Sequence, residues 1–576
     1  MSYKTVRELR GDLLQEGDYR SIKDLLHRLA VKVPENRILG ERAGKTEIVY
    51  YNSKQLWDEV VYLGDGLIAA GYKDAHIAIV STNSCRYVIT DLCVSSGVGV
   101  VVPIDRDAPV DLLATLLNKS DTDVVMCSSD CLERLEEARK QCPCIRELIT
   151  MDKKVEGYVS YDEIVEKGRS LGDKGVYADM ELDLGAPAKM LFTSGTTGPN
   201  KCVVLTNANL TANMLNCIDG IKIDKDHNSS SMSVLPMHHA TEINTHILGR
   251  LAGGDLTYIN DSIRNMMVNF KIYKPEVTTI VPMIANAFYK NIWAGAEKAG
   301  KADKLRKGIK ISNFLRKFGI DRTHKMFKDV YEPFGGNLRM VVCGGSMLNP
   351  EVVKGLNDLG IRMENGYGIT ECGPLISLNA DTLNEHLSVG KPCPSVETVI
   401  LDPDENGVGE LAVRSKAVAK GYYKDEEATA ASFQPDGFFK TGDSAYMKDG
   451  KVFLVGKKKN TIVLANGKNV SPEEIENVLE TNLPYATEVA VYQADYMEGK
   501  EPVQVICAGL YIADEEKRAD RDAIMSDIIK VNSQLPGYKN IDYVDLMEAP
   551  FQRTGSRKIV RTALPGKCSG KGIKIF

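Results

Sequence analysis

From Tyr72 onward, short apolar runs alternate with stretches whose apolar residues recur at helical spacing. HIAIV (76–80) predicts a buried strand, YVITDLCVSSG (87–97) a short helix and VGVVVPI (98–104) a second strand. A second cycle follows, with helix PVDLLATLLNKS (109–120) and strand DVVMCS (123–128). Such alternation predicts α/β units around a mostly parallel sheet. It continues to about Ile400. There SVETVILDPDENGVGELAVRS predicts two strands joined by a hairpin at Asp404-Glu405-Asn406-Gly407.

Two further strand-like runs, VFLV and TIVLA, flank the polar block from Gly456 to Asn460, which is suited to a linker. Beyond it, Ser471-Pro472-Glu473-Glu474 predicts a helix start, with a serine cap, proline at the first helical position and Glu474 three residues after the cap. Ile475, Val478 and Leu479 supply its apolar face. The expected division is therefore a large N-terminal domain, 1–457, and a small C-terminal one, 458–576.

Bulk properties narrow the class. A chain of 576 residues is too long for one core. A net charge of -6 offers no general attraction to nucleic acid or anionic surfaces. The thirteen cysteines sit mostly singly within apolar stretches, as buried thiols of a reducing compartment would. Cys142 and Cys144 are close, at a spacing unusual for zinc. The charged first twenty residues lack a signal-peptide core, and no apolar run reaches the roughly 18 residues of a membrane span. A cytoplasmic protein is expected.

Four polar stretches carry candidate chemistry. Thr193-Ser194-Gly195-Thr196-Thr197-Gly198-Pro199-Asn200-Lys201 has the ingredients of a phosphate cradle: glycines that let N–H groups converge, hydroxyl donors and a lysine. Asn200 stands where a Walker loop needs glycine, so it is not that loop, and a surface turn is the plain alternative. NGYGITE (365–371) offers Tyr367 for stacking, Thr370 for a phosphate and Glu371 for magnesium. Asp443, after the turn in KTGD, could accept from ribose hydroxyls. QRTGSRKIVR (552–561) sets Lys558 beside small polar residues.

In this order, together with LPMHHA, CGGSML, GELAVRS with KGYY, GKKKN and NGKNVSPEEIE, these stretches resemble the acyl-adenylate-forming (AMP-binding) superfamily. The resemblance runs from about Ile22 to Leu564 and is greatest to AMP-forming long-chain fatty acyl-CoA synthetases. It implies an α/β fold with a large N-terminal domain of α/β layers around mostly parallel sheets, a small β-sheet or barrel portion, and a small mobile α+β C-terminal domain. It also implies ATP, Mg2+ and coenzyme A as cofactors.

By position, the resemblance implies that Thr193, Ser194, Gly195, Thr196, Thr197 and Lys201 form the phosphate loop. His239 borders the acyl pocket, while Gly344, Gly345 and Ser346 line the adenine and acyl channel. Asn365 belongs to the adenine segment, Gly366 and Tyr367 hold adenine, Thr370 meets the α-phosphate, Glu371 holds the metal and Asp443 the ribose. Lys558 is the mobile catalytic lysine, Lys459 the hinge, and Gly467 the contact for pantetheine. Two positions depart: Asn200-Lys201-Cys202 replaces the usual Pro-Lys-Gly, and Lys457 stands where arginine's fork would grip ribose better.

The stretch between Val281-Pro282 and Gly344-Gly345 is longer than in members acting on small aromatic acids, and resembles the long-chain enzymes. Within it, residues 301–328 hold ten Lys or Arg against two Asp, interleaved with Leu305, Ile309, Phe314, Leu315 and Phe318. That pattern suits either peripheral membrane contact or a solvated helix face beside an acyl tunnel. The expected activity is ATP-dependent conversion of a medium- to long-chain fatty acid to acyl-AMP and then acyl-CoA, releasing pyrophosphate and AMP. Loading an acyl carrier protein, a nucleotide-binding regulatory protein without turnover, and luciferase-like oxidation are the alternatives.

Overall fold

The computed structural model describes residues 3–9, 11, 19–193, 201–224, 230–345, 348–380, 382, 385–464, 469–498, 501–553, 559–570 and 572–575. Close contacts group the chain into two units. One comprises residues 1–193, 200–398 and 413–439; the other comprises 194–199, 399–412 and 440–576.

The first unit holds two large mixed sheets. In the eight-stranded sheet the order is Gly421–Tyr422, Lys201–Thr206, Pro187–Thr193, Val100–Pro103, His76–Val80, Val124–Cys127, Glu147–Thr150 and Val159–Ser160. The strands from Pro187–Thr193 to Val159–Ser160 are parallel, whereas Lys201–Thr206 is antiparallel to both of its neighbours. The predicted strands and helices of 76–128 all form. Their continuous apolar runs follow from burial on both faces, because Val100, Val102, Val125 and Leu148 belong to a core packed beneath helices Val110–Lys119 and Leu132–Arg139.

The nine-stranded sheet runs Lys391–Pro392, Leu375–Asn379, Arg362–Gly368, Met340–Cys343, Val277–Ile280, Ser231–Ser233, Thr257–Ile259, Arg37–Ala43 and Glu47–Asn52. Its middle is parallel and its edges antiparallel. Helices Pro282–Lys298 and Ala302–Arg316, within the long stretch singled out in the sequence, pack against its core through Ile284, Phe288, Leu305 and Ile309.

The second unit contains the sheet Glu488–Glu498, Glu501–Tyr511, Tyr543–Met547, Ile573–Lys574. Helices Pro472–Asn482 and Arg521–Asn532 bury Ile475, Leu479, Ile524 and Ile528 in the core beside it. The helix at Pro472 begins where expected, but its cap differs. Ser471 makes no side-chain bond to the helix N–H groups; its Oγ lies within donating distance of Val455 O, at 2.6 Å, and of Glu473 Oε2, at 3.1 Å. The hydroxyl is turned toward the Val455 carbonyl of the preceding strand, which leaves its oxygen out of reach of the helix N–H groups. The polar block also contributes more to the sheet than expected, since the strand Lys451–Lys457 runs into it before the single turn Lys458–Asn460.

Candidate functional site

In the first unit, Thr193 and Lys201 are register partners at the ends of two antiparallel strands. Ser194, Gly195, Thr196 and Thr197 lie outside the described residues, as do Ser346, Gly467 and Lys558. The Lys201 ammonium sits over the ring of Tyr422, 4.4 Å from its centroid. Tyr422 arrives there because Gly421–Tyr422 pairs with the strand that Lys201 begins, Val203 facing Tyr422. The Tyr422 hydroxyl donates to Glu371 Oε1 at 2.9 Å. Burial, and then the neighbouring Glu371 carboxylate, push that hydroxyl's pKa well up, so it remains a donor. Ala419 N–H donates to the Glu371 backbone oxygen at 2.8 Å, fixing the same segment a second time.

Glu371 belongs to the single turn Thr370–Cys372, which follows the strand Arg362–Gly368. Asn365, Gly366 and Tyr367 lie on that strand, and Tyr367 is buried. Asn365 Nδ2 donates to Ser388 O at 3.3 Å. Gly344 and Gly345 close the neighbouring strand Met340–Cys343. A Cβ on Gly344 would lie 2.7 Å from the Gly366 carbonyl, and Gly345 has φ +93°. Glycine at 344 lets the two strand ends approach this closely, and at 345 it suits the left-handed backbone.

His239 lies after the strand Ser231–Ser233, with the His238 and His239 rings 4.1 Å apart. Asn83 holds this segment at two points: its Nδ2 donates to Leu235 O at 2.8 Å and its Oδ1 accepts from Met237 N–H at 3.1 Å. Desolvation lowers the His238 pKa to about 4, so its ring is neutral at neutral pH.

Behind Glu371 runs a buried polar chain. Lys189 Nζ donates to Asp91 Oδ1 at 2.6 Å and to Asn244 Oδ1 at 2.8 Å. Asn244 Nδ2 reaches Gly373 O at 3.3 Å, while Asn213 joins Asn244 O to Leu375 N–H at 2.8 and 2.9 Å. The chain ties the strand leading to Thr193 to the turn after Glu371.

Asp91, Lys189, Asn213, Asn244 and Tyr422 escaped sequence reasoning as site residues. The usable signals were Lys189 inside an otherwise apolar strand and the tyrosine of KGYY.

In the second unit, Asp443 and Lys457 are cross-strand partners, and Lys457 Nζ lies 2.6 Å from Asp443 Oδ1. Thr441 Oγ1 accepts from Asp443 N–H at 3.1 Å. Lys458, adjacent to the expected hinge residue Lys459, pairs with Glu410 at 2.8 Å. Asp443 and Lys457, both expected at the nucleotide, are thus paired with each other.

The residues fit a magnesium nucleotide. Glu371 would supply a hard carboxylate donor whose Oε1 accepts from Tyr422, and Lys201 sets a cation over the ring of the same tyrosine. No group of metal-ligating side chains is complete among the described residues.

Comparison with known proteins gives the class. The family model "AMP-binding enzyme" matches residues 32–423, and the chain belongs to that family. It is an adenylate-forming acyl ligase by class. Among curated relatives, peroxisomal long chain acyl-CoA synthetase 7 of Arabidopsis thaliana is 27% identical over 485 residues, 77% of this chain and 67% of the relative. The chloroplastic long-chain-fatty-acid–acyl-carrier-protein ligase AEE15 of the same plant is 26% identical over 501 residues, 73% of this chain and 68% of the relative. Among solved structures, the anthranilate CoA ligase AuaEII in complex with anthranoyl-AMP superposes with a TM-score of 0.75 at 16% identity, covering 96% of this chain and 97% of that one. The mixed α/β architecture expected from the sequence is that of these enzymes.

All thirteen cysteines are free thiols, eleven of them buried. No helix among the described residues is long and apolar enough to cross a membrane.

Proposed function

We propose that the protein activates a medium- to long-chain fatty acid in two steps. The carboxylate attacks the α-phosphorus of ATP, forming acyl-AMP as pyrophosphate leaves. The thiol of coenzyme A then attacks the acyl carbon, and AMP leaves. The observation that carries this reading is the convergence of Lys201, Tyr422 and Glu371 at the foot of the Thr193–Lys201 strand pair.

Thr193 and Lys201, with Ser194 to Thr197 between them, would hold the β- and γ-phosphates. Gly344, Gly345, Ser346, Asn365, Gly366 and Tyr367 would bound the adenine and acyl channel, Thr370 would donate to the α-phosphate, and His239 would border the acyl group. Glu371 would hold Mg2+, which neutralises charge on the phosphate oxygens. Asp443 would accept from the ribose, with Lys457 balancing its charge.

Lys558 is assigned the bridge between the incoming carboxylate and the α-phosphate. A preorganised cation lowers the barrier where two anions must meet. Residues 1–457 and 458–576 would act as separate bodies about Lys459, bringing Gly467 to the pantetheine for the second step. The free thiols suit a reducing compartment, and our placement is the cytoplasm.

A second acceptor is favoured by a specific finding, the acyl-carrier-protein ligase among the relatives. Both acceptors present the same phosphopantetheine arm. Mass spectrometry of products from purified protein, MgATP, CoA and acids from acetate to oleate separates the readings. Long-chain acyl-CoA with AMP supports the proposal, whereas acyl-AMP without thioester transfers it to a carrier protein. Bound ATP with no product would sink both in favour of a regulatory protein.

A further inference from the structure

The helix Ala302–Arg316 presents different residues to the core and to solvent. Leu305 and Ile309 pack on the core, Ser312 is fully buried, and Arg316 donates to Asn357 O and Asp358 O at 2.8 and 2.7 Å. At helical spacing on another side stand Lys304, Lys307, Ile311, Phe314 and, just past the helix, Phe318. Ile311, Phe314 and Phe318 are 55%, 61% and 68% exposed. The two phenylalanine rings meet edge to face at 5.2 Å.

The helix stops in a Schellman turn: Ile320 N–H donates to Leu315 O at 3.2 Å and Gly319 N–H to Arg316 O at 2.9 Å, with Gly319 at φ +74°. That turn leaves Ile320 exposed as well. The core-facing residues already anchor the helix, so the outer apolar group is surplus to folding, and a contiguous exposed apolar patch marks an interaction surface.

Its charge says with what. Residues 301–328 hold ten Lys or Arg and two Asp, in a chain whose net charge is -6. Lys307, Lys310 and Lys317 have no ion-pair partner among the described residues, and a surface depression is lined by Asp303, Arg306, Lys307 and Lys310. We propose that this face docks on a bilayer bearing anionic headgroups. Phe314, Phe318, Ile311 and Ile320 enter the boundary between headgroups and acyl chains, and the lysines lie against lipid phosphates. A soluble polyanion would use the lysines but leave the four apolar side chains in water, so the lipid surface accounts for more of the observations.

Sedimentation of the full chain with vesicles tests this without reference to the ligase reading, because it needs neither ATP nor acid. The full chain should partition onto phosphatidylcholine vesicles containing a quarter phosphatidylserine at least tenfold better than onto pure phosphatidylcholine. The Phe314→Ser, Phe318→Ser double variant should lose about tenfold of that binding. Lys307→Gln with Lys310→Gln should lose roughly fivefold per lysine and abolish the preference for phosphatidylserine. Unchanged melting temperatures would show that the variants fold. Equal binding by the serine variant and the original chain would overturn the proposal in favour of a soluble polyanion, and absence of sedimentation with either vesicle would overturn it outright.

Discussion

Tyr422 does two separable things: its ring lies beneath the Lys201 ammonium and its hydroxyl holds Glu371. Tyr422→Phe keeps the first contact and removes the second. A hydrogen bond to a charged group contributes about 1.5–3 kcal/mol. If it positions Glu371 for the metal, ATP–pyrophosphate exchange should fall about ten- to a hundredfold. Half-saturating magnesium should rise at the same time, with little change in melting temperature. Unaltered magnesium dependence would mean that the hydroxyl only fills space. The tyrosine was visible in KGYY, but its task was not. The contact joins residues 51 apart in sequence, and depends on Gly421–Tyr422 pairing with the strand from Lys201 to Thr206.

At the scale of elements, apolar continuity made the parallel strands legible, because a strand covered on both faces has no polar positions to blur it. Polar groups whose partners are distant in sequence were less legible. Ser471 reads as a cap, yet its hydroxyl serves Val455. Lys189 reads as an interruption of its strand, yet with Asp91 it forms a pair in which both side chains are almost wholly buried. Desolvation pushes the Asp91 pKa up and the Lys189 pKa down, each partly offset by the partner. Lys189→Met would leave Asp91 buried and unpaired, costing about 3–5 kcal/mol in urea unfolding of the first unit. Lys189→Met with Asp91→Leu should recover much of that loss; a double variant no better than the single would show that packing, not the stranded charge, sets the cost.

The LPMHHA segment makes a different prediction. His238 has its pKa lowered to about 4, against about 6.5 for an unperturbed histidine. Between those values the unfolded chain binds more protons than the folded one. The stability contributed by neutral His238 is therefore fully present above about pH 6.5 and lost as pH falls through about 4, up to about 3 kcal/mol. Denaturant unfolding at about pH 7.5 and 4.5 should show that slope, and His238→Gln should flatten it. The same slope in the variant would assign it to other groups.

On the scale of the whole molecule, the sequence shows motifs in order but not which of them meet in any one arrangement of the chain. Asp443 illustrates this. Its position after a tight turn was evident, while its pairing with Lys457 required the register of two strands. The proposed chemistry needs a cation at the α-phosphate during adenylation and a thiol beside the acyl carbon afterwards. In the proposed reading Lys558 serves the first step and withdraws for the second. Lys558→Ala should therefore divide the two half-reactions. Adenylation, followed by pyrophosphate exchange, should fall about 10²- to 10³-fold, the usual loss on removing one preorganised electrostatic group. Thioester formation from supplied acyl-AMP should change far less, since the carboxylate is already activated. Equal losses in both would make Lys558 structural. Unchanged adenylation would move the charge-bridging role to another cation, for which Lys201, seated over the tyrosine whose hydroxyl holds Glu371, is the first candidate.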